Sequence, residues 1–171
     1  LFPEKFRADI DAENRQRIHV LAGDESLTVI DGQVEMEAET RFDLYKDILL
    51  FRDRKMLAKR LARFGVDESV SSLGRFRERI CYVVGAVYPD VSVPQVWVEK
   101  DTFLPVRWIV TRTVYQNRKD ALEVRYADWR RIQGIYYPGR IEFYQDDRLV
   151  RVIEAYHAAA DATISGALFD I

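Results

Sequence analysis

The side chains that most often hold metals or carry catalysis are few in this sequence and lie far apart. The two histidines, His19 and His157, fall near opposite ends of the chain, and neither has Cys, Asp or Glu beside it in a metal-ligand pattern. A zinc site needs three or four such ligands in one place. We therefore interpret each histidine as an individual buried or exposed side chain, and we predict neither a metal site nor a cofactor.

The sequence also lacks the combinations that activate a nucleophile. Cys81 is the single cysteine, and it stands in an apolar run, as a small buried hydrophobe would. A nucleophilic cysteine needs a base beside it. Asp128 and the pair Asp146-Asp147 offer carboxylates, but acidic residues are common turn formers. Since neither a Gly-rich phosphate loop nor a Gly-x-Ser-x-Gly motif occurs, the sequence favours a protein that is not an enzyme.

The length and the net charge of the chain limit the classes of protein that remain to be considered. The 171 residues suffice for a domain with a substantial core, and we predict a single domain over residues 1–171. The net charge of −2 provides no basic field for nucleic acid. No apolar run reaches the roughly 18–20 residues that span a bilayer. One cysteine cannot form an internal disulfide, so cysteine usage does not decide the compartment.

The C-terminal half alternates apolar and polar residues with the period of a β-strand. The apolar positions that share one face in this pattern are Val106, Trp108, Val110, Leu122, Val124, Tyr126, Ile141 and Phe143. Such alternation predicts antiparallel strands with one buried and one hydrated face. We predict strands over residues 70–76, 80–87, 95–99, 105–115, 121–130, 140–144 and 149–159, joined by short turns.

The N-terminal part predicts strands over residues 2–10 and 17–22, followed by a hairpin whose turn is Asp31-Gly32. An Asp-Gly pair suits a type I′ turn because both central residues need positive φ. With about ten strands and one helical insertion, the predicted fold class is α+β with a strongly curved antiparallel sheet.

Residues 41–64 contain no Gly or Pro and change to a helical period. We predict two short helices, over residues 41–50 and 53–64, with a break near Phe51-Arg52. Asp53 suits an N-cap and Gly65 a C-terminal stop. Leu57, Leu61 and Phe64 form the apolar stripe of the second helix.

The second helix also carries a basic face. Its basic residues are Arg54, Lys55, Lys59, Arg60 and Arg63. Such a face can dock on an acidic partner or a membrane surface. The alternative, which the pattern favours, is a solvated face above a core stripe.

The aromatic residues can likewise belong either to a packed core or to a ligand pocket. They concentrate in the C-terminal half and are typical of a core. If the curved sheet does not close, its concave apolar face is wide, and the two helices cover it as a partial lid that leaves a pocket.

Several motifs follow one another along the chain in a recognisable order. They are Pro3-Glu-Lys-Phe6-Arg7, Leu27-Thr-Val-Ile-Asp-Gly, Val96-Trp-Val-Glu-Lys-Asp-Thr-Phe-Leu-Pro-Val-Arg, Gly134-Ile-Tyr-Tyr-Pro-Gly-Arg-Ile-Glu-Phe and Leu168-Phe169-Asp170. In this order and spacing they resemble the LolA-like superfamily of bacterial outer-membrane lipoprotein-sorting proteins, over most of the chain.

The resemblance implies an unclosed β half-barrel lidded by helices, which binds lipid or lipoprotein acyl chains in its concavity, in the periplasm. It implies an apolar cavity lined by Phe6 and by Val106, Trp108, Val110, Leu122, Val124, Tyr126, Ile141 and Phe143, under a lid formed by Leu57, Leu61 and Phe64. The partners would be acyl chains, with a membrane surface or acidic protein contacted through Arg54, Lys55, Lys59 and Arg63. A regulatory or scaffold module of the same fold that binds a protein partner is the alternative function, and an enzyme ranks third.

Two departures from the family pattern affect this expectation. The carrier proteins have an Arg directly before the early Pro, where this chain has Phe2, so their contact from that Arg to the lid is not expected here. The family also has a helix and strands ahead of this point. We expect either that the chain is a fragment or that it lacks the N-terminal lid, with an exposed sheet edge as a consequence.

Overall fold

Eleven β-strands, two α-helices and two 3-10 turns make up the part of the chain that the computed structural model describes, residues 5–12, 14–23, 25–35, 40–50, 53–113, 119–159 and 163–170. The chain divides into two compact units, one formed by residues 1–54 and 161–171 and the other by residues 55–160. Whether these two units form the single domain predicted from the sequence stays a prediction.

The first unit contains a four-stranded antiparallel sheet in sequential order. Its strands are β1 (Lys5–Ala12), β2 (Arg15–Ala22), β3 (Glu25–Ile30) and β4 (Gln33–Glu35), followed by the 3-10 turn Leu44–Lys46 and the helix α1 (Asp47–Leu50). The predicted hairpin is confirmed: Asp31 and Gly32 have φ of 50° and 80° between β3 and β4, as a type I′ turn requires.

A partly buried ion pair stabilises the first unit. The Arg17 guanidinium donates two hydrogen bonds, of 2.9 and 2.6 Å, to the carboxylate of Asp43. The same carboxylate accepts hydrogen bonds from the N–H and the hydroxyl of Thr40. Burial alone would raise the pKa of Asp43, but the bonds from Arg17 and Thr40 outweigh burial and lower it. Because Asp43 closes a turn with Thr40, the helix predicted over residues 41–50 is shorter, with its first 3-10 residue at Leu44.

The C-terminal segment returns to the first unit as the 3-10 turn Gly166–Phe169. Phe169 is buried beneath the ammonium of Lys5, 5.7 Å from the ring centroid, and Arg7 donates a 2.9 Å hydrogen bond to the carbonyl of Leu168. These contacts hold the C-terminal segment against β1.

The second unit begins with the helix α2 (Arg54–Arg63), whose residues from Lys55 onward belong to it. Gly65 ends the helix with φ of +76°. Its N–H bonds to the carbonyl of Ala62, and the N–H of Val66 bonds to the carbonyl of Leu61. This pair of bonds, with Val66 and Leu61 both buried, is a Schellman motif, and it confirms the predicted stop at Gly65.

A seven-stranded antiparallel meander forms the rest of the second unit. Its strands are β5 (Ser71–Phe76), β6 (Arg79–Val84), β7 (Gln95–Glu99), β8 (Pro105–Thr113), β9 (Lys119–Ile132), β10 (Ile135–Gln145) and β11 (Arg148–Glu154). The mainly antiparallel architecture with a short helical insertion is confirmed, and within the described residues neither sheet closes into a barrel. The described strands number eleven, in agreement with the approximately ten expected from the sequence.

Three predicted boundaries in this sheet are wrong for identifiable reasons. β6 ends at Val84 because Gly85 has φ of +102°. β10 begins at Ile135 and not at residue 140, and it continues through Pro138. Pro138 lies opposite Trp129 of β9, and its ring nitrogen points away from β9. On that other side the pairing with β11 begins only at Arg140 and Glu154. No ladder hydrogen bond is therefore lost at Pro138. The last strand ends at Glu154 and not at residue 159.

Other predicted boundaries fall at residues 2, 51–52 and 114–118, and these lie outside the described residues.

Candidate functional site

A pocket of about 730 Å³ lies at one end of the seven-stranded sheet, and its walls belong entirely to the second unit. The β5–β6 hairpin contributes Phe76, Arg77 and Arg79. The end of β7 and the segment after it contribute Glu99, Thr102 and Leu104, and β8 contributes Val106. The opposite wall consists of Tyr126, Ala127, Asp128 and Trp129 of β9 with Tyr136 of β10. This volume is typical of sites for small organic ligands.

Two aromatic rings that a regular strand would place on opposite faces lie together in this pocket. Tyr126 and Trp129 have an odd separation in β9, which strand alternation assigns to opposite faces. Their ring centroids are nevertheless 6.4 Å apart. Asp128 between them has φ of +53°, so the chain leaves the extended conformation there and the alternation is broken.

Gly139 makes this backbone conformation possible. The ladder between β9 and β10 skips Asp128 and the residue opposite, Gly139. A Cβ at residue 139 would lie 2.8 Å from the carbonyl oxygen of Asp128, which is too close for backbone atoms. Asp tolerates the left-handed region better than most residues. The pair of Asp128 and Gly139 therefore brings Tyr126 and Trp129 to one side.

Val106 corrects the predicted parity of β8. The ladder between β7 and β8 shifts register between Trp97 and Val98. Such a bulge places an extra residue on one strand and changes the direction of its side chains. Val106 accordingly packs in a cluster with Cys81, Val83, Ala86 and Trp97. The Val106 side chain therefore lies on the face of the sheet that carries Trp97 and not on the face that carries Trp108. From that face it lines the pocket.

The charges around the pocket are mostly neutralised in pairs. Arg77 lies 3.1 Å from Glu142, and Arg79 lies 3.5 Å from Glu99. The hydroxyl of Thr102 donates a 2.6 Å hydrogen bond to Glu99. The carboxylate of Asp128 is different, since it is exposed and has no hydrogen-bond or ion-pair partner within the described part of the chain.

A partly buried row of charges adjoins Phe76, one of the pocket residues. Glu123 accepts a 2.6 Å hydrogen bond from Arg107 and a further one from Arg125. Both guanidinium groups also contact the Phe76 ring, 5.3 and 5.7 Å from its centroid. Burial alone would raise the pKa of Glu123, but the hydrogen bonds from Arg107 and Arg125 outweigh it and lower the pKa. The Arg125 guanidinium also stacks on Tyr144 at 3.8 Å.

Most of the residues predicted to line an apolar cavity lie in a deeply buried row across the sheet and do not line the pocket beside β9. Trp108 pairs with Val124, and Val124 pairs with Phe143, across β8, β9 and β10. These three side chains have no exposed surface at all. Leu122 and Ile141 are almost as deeply buried, and Val110 is partly exposed. Among the predicted cavity residues in this unit, Val106 and Tyr126 line the pocket.

The predicted lid residues have different surroundings. Phe64 packs its edge against the ring of Trp108, with centroids 5.5 Å apart, and Leu61 is buried while Leu57 is partly buried. Phe6 belongs to the first unit, where its ring packs against Tyr45 at 6.5 Å and lies under the ammonium of Lys46. Arg54, Lys55, Lys59 and Arg63 are exposed on α2, as the predicted basic face requires.

The other residues considered for chemistry are placed as follows. His19 is fully buried, with its Nδ1 3.0 Å from the hydroxyl of Thr28, and His157 is exposed. Cys81 is fully buried, and burial followed by the charge of Glu99 raises the pKa of its thiol. Within the described residues no group of three His, Cys, Asp or Glu side chains is placed to hold a metal ion.

Sequence reasoning missed most of the pocket's polar residues. Arg77, Arg79 and Tyr136 stand at strand ends and turns, where charged and polar residues are expected for other reasons. The available signal was Asp128, an acidic residue inside an alternating run, opposite a Gly-containing strand. Without the β9–β10 register, however, neither its conformation nor its neighbours can be derived.

The helices of the described residues provide no membrane span, since none of them is both long and apolar enough to cross a bilayer. Comparison of the chain with protein-family models, with curated proteins and with solved structures found no match.

Proposed function

We propose that this chain is a non-enzymatic binding protein for the acyl chain of a lipid or lipoprotein, and that the chain binds in the pocket beside β9. The observation that carries the proposal is the composition of the walls. Phe76, Leu104, Val106, Tyr126 and Trp129 supply apolar and aromatic surface inside a 730 Å³ space. Each buried methylene contributes ~0.8 kcal/mol, so ten of them contribute roughly 8 kcal/mol before ordering costs, and no catalytic constellation is required.

The proposal includes a strongly curved, unclosed sheet with the pocket on its concave side. The ion pair between Arg77 and Glu142 supports this curvature. Arg77 lies at the tip of the β5–β6 hairpin, and β7, β8 and β9 stand between β6 and β10. In a flat sheet these four spacings would separate the strands by about 19 Å, which is beyond the reach of an arginine side chain.

The LolA-like resemblance of the motifs agrees with this proposal and extends it. It suggests a place in lipoprotein sorting or envelope lipid trafficking, outside the cytoplasm, in the periplasm of a Gram-negative cell. No residue of α2 lines this pocket, so the proposal gives α2 a different role, in which its exposed basic face contacts a membrane surface or an acidic partner.

A protein-binding module of the same fold is the second candidate, and an exposed apolar surface favours it. Leu73, Ile80 and Tyr82 are exposed on the edge hairpin β5–β6, and Phe103, 70% exposed, stacks on Tyr82 at 6.0 Å. Large exposed apolar residues in one place are typical of interaction surfaces. None of these four residues lines the pocket, so partner binding here would survive a change that fills the pocket.

Filling the pocket is expected to abolish acyl binding. Ala127 is a small residue of the pocket wall, and Ala127→Trp would place a large side chain in the space. We expect the affinity for an uncharged monoacylglycerol with a fluorescent group on its acyl chain to fall at least about tenfold, as loss of two buried methylenes already would. Fluorescence anisotropy measures the binding.

The matched control is Ala62→Trp, which adds the same side chain at an exposed position of α2 and should bind the probe as the wild type does. Thermal melting shows whether both variants are folded. A folded Ala127→Trp variant with undiminished probe affinity would place acyl binding elsewhere, and a wild-type chain that ignores the probe would reject the proposed function.

A further inference from the structure

We infer that the pocket selects a ligand whose polar head carries a positive charge, that is, an amphipathic molecule with an ammonium group. This inference rests on the proposed function, because it assigns the head of the ligand whose acyl chain the pocket is proposed to bind. It concerns the wall formed by Asp128, Trp129 and Tyr136.

The charge balance of the pocket is the first argument. Four charged residues line it, and three of them are engaged in ion pairs: Arg77 with Glu142, and Arg79 with Glu99. Asp128 has no such partner in the described part of the chain. The unpaired charge among the lining residues is therefore negative, and a cationic group is its natural partner. Arg130 has its Nε near the Asp128 side chain but forms no ion pair with it, and its Nη1 donates a hydrogen bond to the carbonyl of Ala155.

The aromatic residues beside Asp128 are the second argument. Tyr126, Trp129 and Tyr136 line the same wall, with the Tyr126 and Trp129 rings 6.4 Å apart and Tyr136 about half exposed. Aromatic faces attract ammonium groups, and cages built from them recognise quaternary ammonium ligands. A carboxylate in the same wall as three aromatic residues combines both attractions for one cation, whereas an anionic head would meet repulsion from Asp128.

The backbone is the third argument. Asp128 adopts φ of +53° within β9, and Gly139 opposite leaves room for it. Without this departure from the extended conformation, Tyr126 and Trp129 would face opposite sides of the sheet. A residue in the left-handed region within a strand is locally unfavourable, and such residues recur at binding sites. Here the left-handed conformation of Asp128 brings its carboxylate and the rings of Tyr126 and Trp129 into one wall.

Asp128→Asn tests the inference with little risk to the fold, since Asn tolerates the left-handed region as Asp does. Two monomeric probes with the same chain are compared by isothermal titration calorimetry: the cation dodecyltrimethylammonium and the uncharged monododecanoylglycerol. We expect the wild type to bind the cation roughly tenfold more tightly than the glyceride. Asp128→Asn should weaken binding of the cation, so that the ratio of the two affinities falls to about one.

Two controls make the comparison specific. Asp146→Asn removes the same charge at another left-handed, exposed position that does not line the pocket, and it should retain the preference for the cation. Tyr136→Leu removes one aromatic face at a half-exposed position and should weaken the cation severalfold, with the glyceride little affected.

The outcomes separate this inference from the proposed function. If the wild type binds the glyceride as tightly as the cation, or if Asp128→Asn retains the preference, the inference is wrong while acyl binding stands. If the glyceride itself does not bind, the proposed function fails and the inference fails with it.

Discussion

Replacing Val124 with glutamate is expected to unfold the seven-stranded sheet. Val124 is completely buried between Trp108 on β8 and Phe143 on β10, which are equally buried. A carboxylate at this fully buried position would lose its contact with water, and burying such a charge costs several kcal/mol. Because domains are stable by only about 5–15 kcal/mol, we expect loss of the cooperative thermal transition, measured by circular dichroism.

Val150→Glu is the matched control for this prediction. Val150 lies on β11 and is 47% exposed, so the same substitution there should change stability by about 0.5 kcal/mol or less. A Val124→Glu variant that melts near the wild-type temperature would show that this face is hydrated. If that variant also lost binding of the acyl probe, the row of Trp108, Val124 and Phe143 would be part of the cavity, as the sequence pattern suggests.

Replacing Glu123 with glutamine is expected to destabilise the sheet by about 3 kcal/mol at neutral pH, since removal of one partner from a buried ion pair leaves the others uncompensated. Glu123 is 9% exposed and joins Arg107 to Arg125. Its pKa is lowered in the folded chain. Its contribution is therefore complete above the unfolded pKa of about 4.3 and disappears as the pH falls through the folded pKa.

The measurement is urea unfolding of wild type and Glu123→Gln between neutral and acidic pH. The difference in unfolding free energy should be largest at neutral pH and should shrink below about pH 4. Glu78→Gln is the control, because Glu78 is 91% exposed and its pair with Arg75 is long, at 3.6 Å. A difference for Glu123→Gln that does not change with pH would mean that ionisation of this carboxyl does not stabilise the fold.

Local patterns in the sequence were sufficient to predict most of the elements, although not all of their boundaries. The Asp31-Gly32 turn and the Gly65 helix stop follow from the positive φ that these positions require, and both are confirmed. Alternation in β9 correctly predicts the burial of Leu122 and Val124. In each case the determining interaction lies within a few residues along the chain.

The candidate site could not be derived in this way, because pairings between distant strands determine it. A register shift against β7 turns Val106 away from the face of Trp108. The conformation of Asp128 depends on Gly139 in the neighbouring strand, and it moves Trp129 against the expected alternation. Period-two reasoning assumes regular strands, so it fails where the β9 and β8 irregularities build the pocket.

The central claim is that the chain holds an acyl chain in the pocket beside Ala127, and the most direct test is to identify what the protein carries. Wild type and Ala127→Trp are purified without detergent, and their organic extracts are compared by mass spectrometry against protein amount. We predict an acyl lipid in the wild-type extract in an amount comparable to the protein, and strong depletion in the folded Ala127→Trp variant. Equal lipid content in the two extracts, or no acyl lipid in the wild-type extract, would contradict the account.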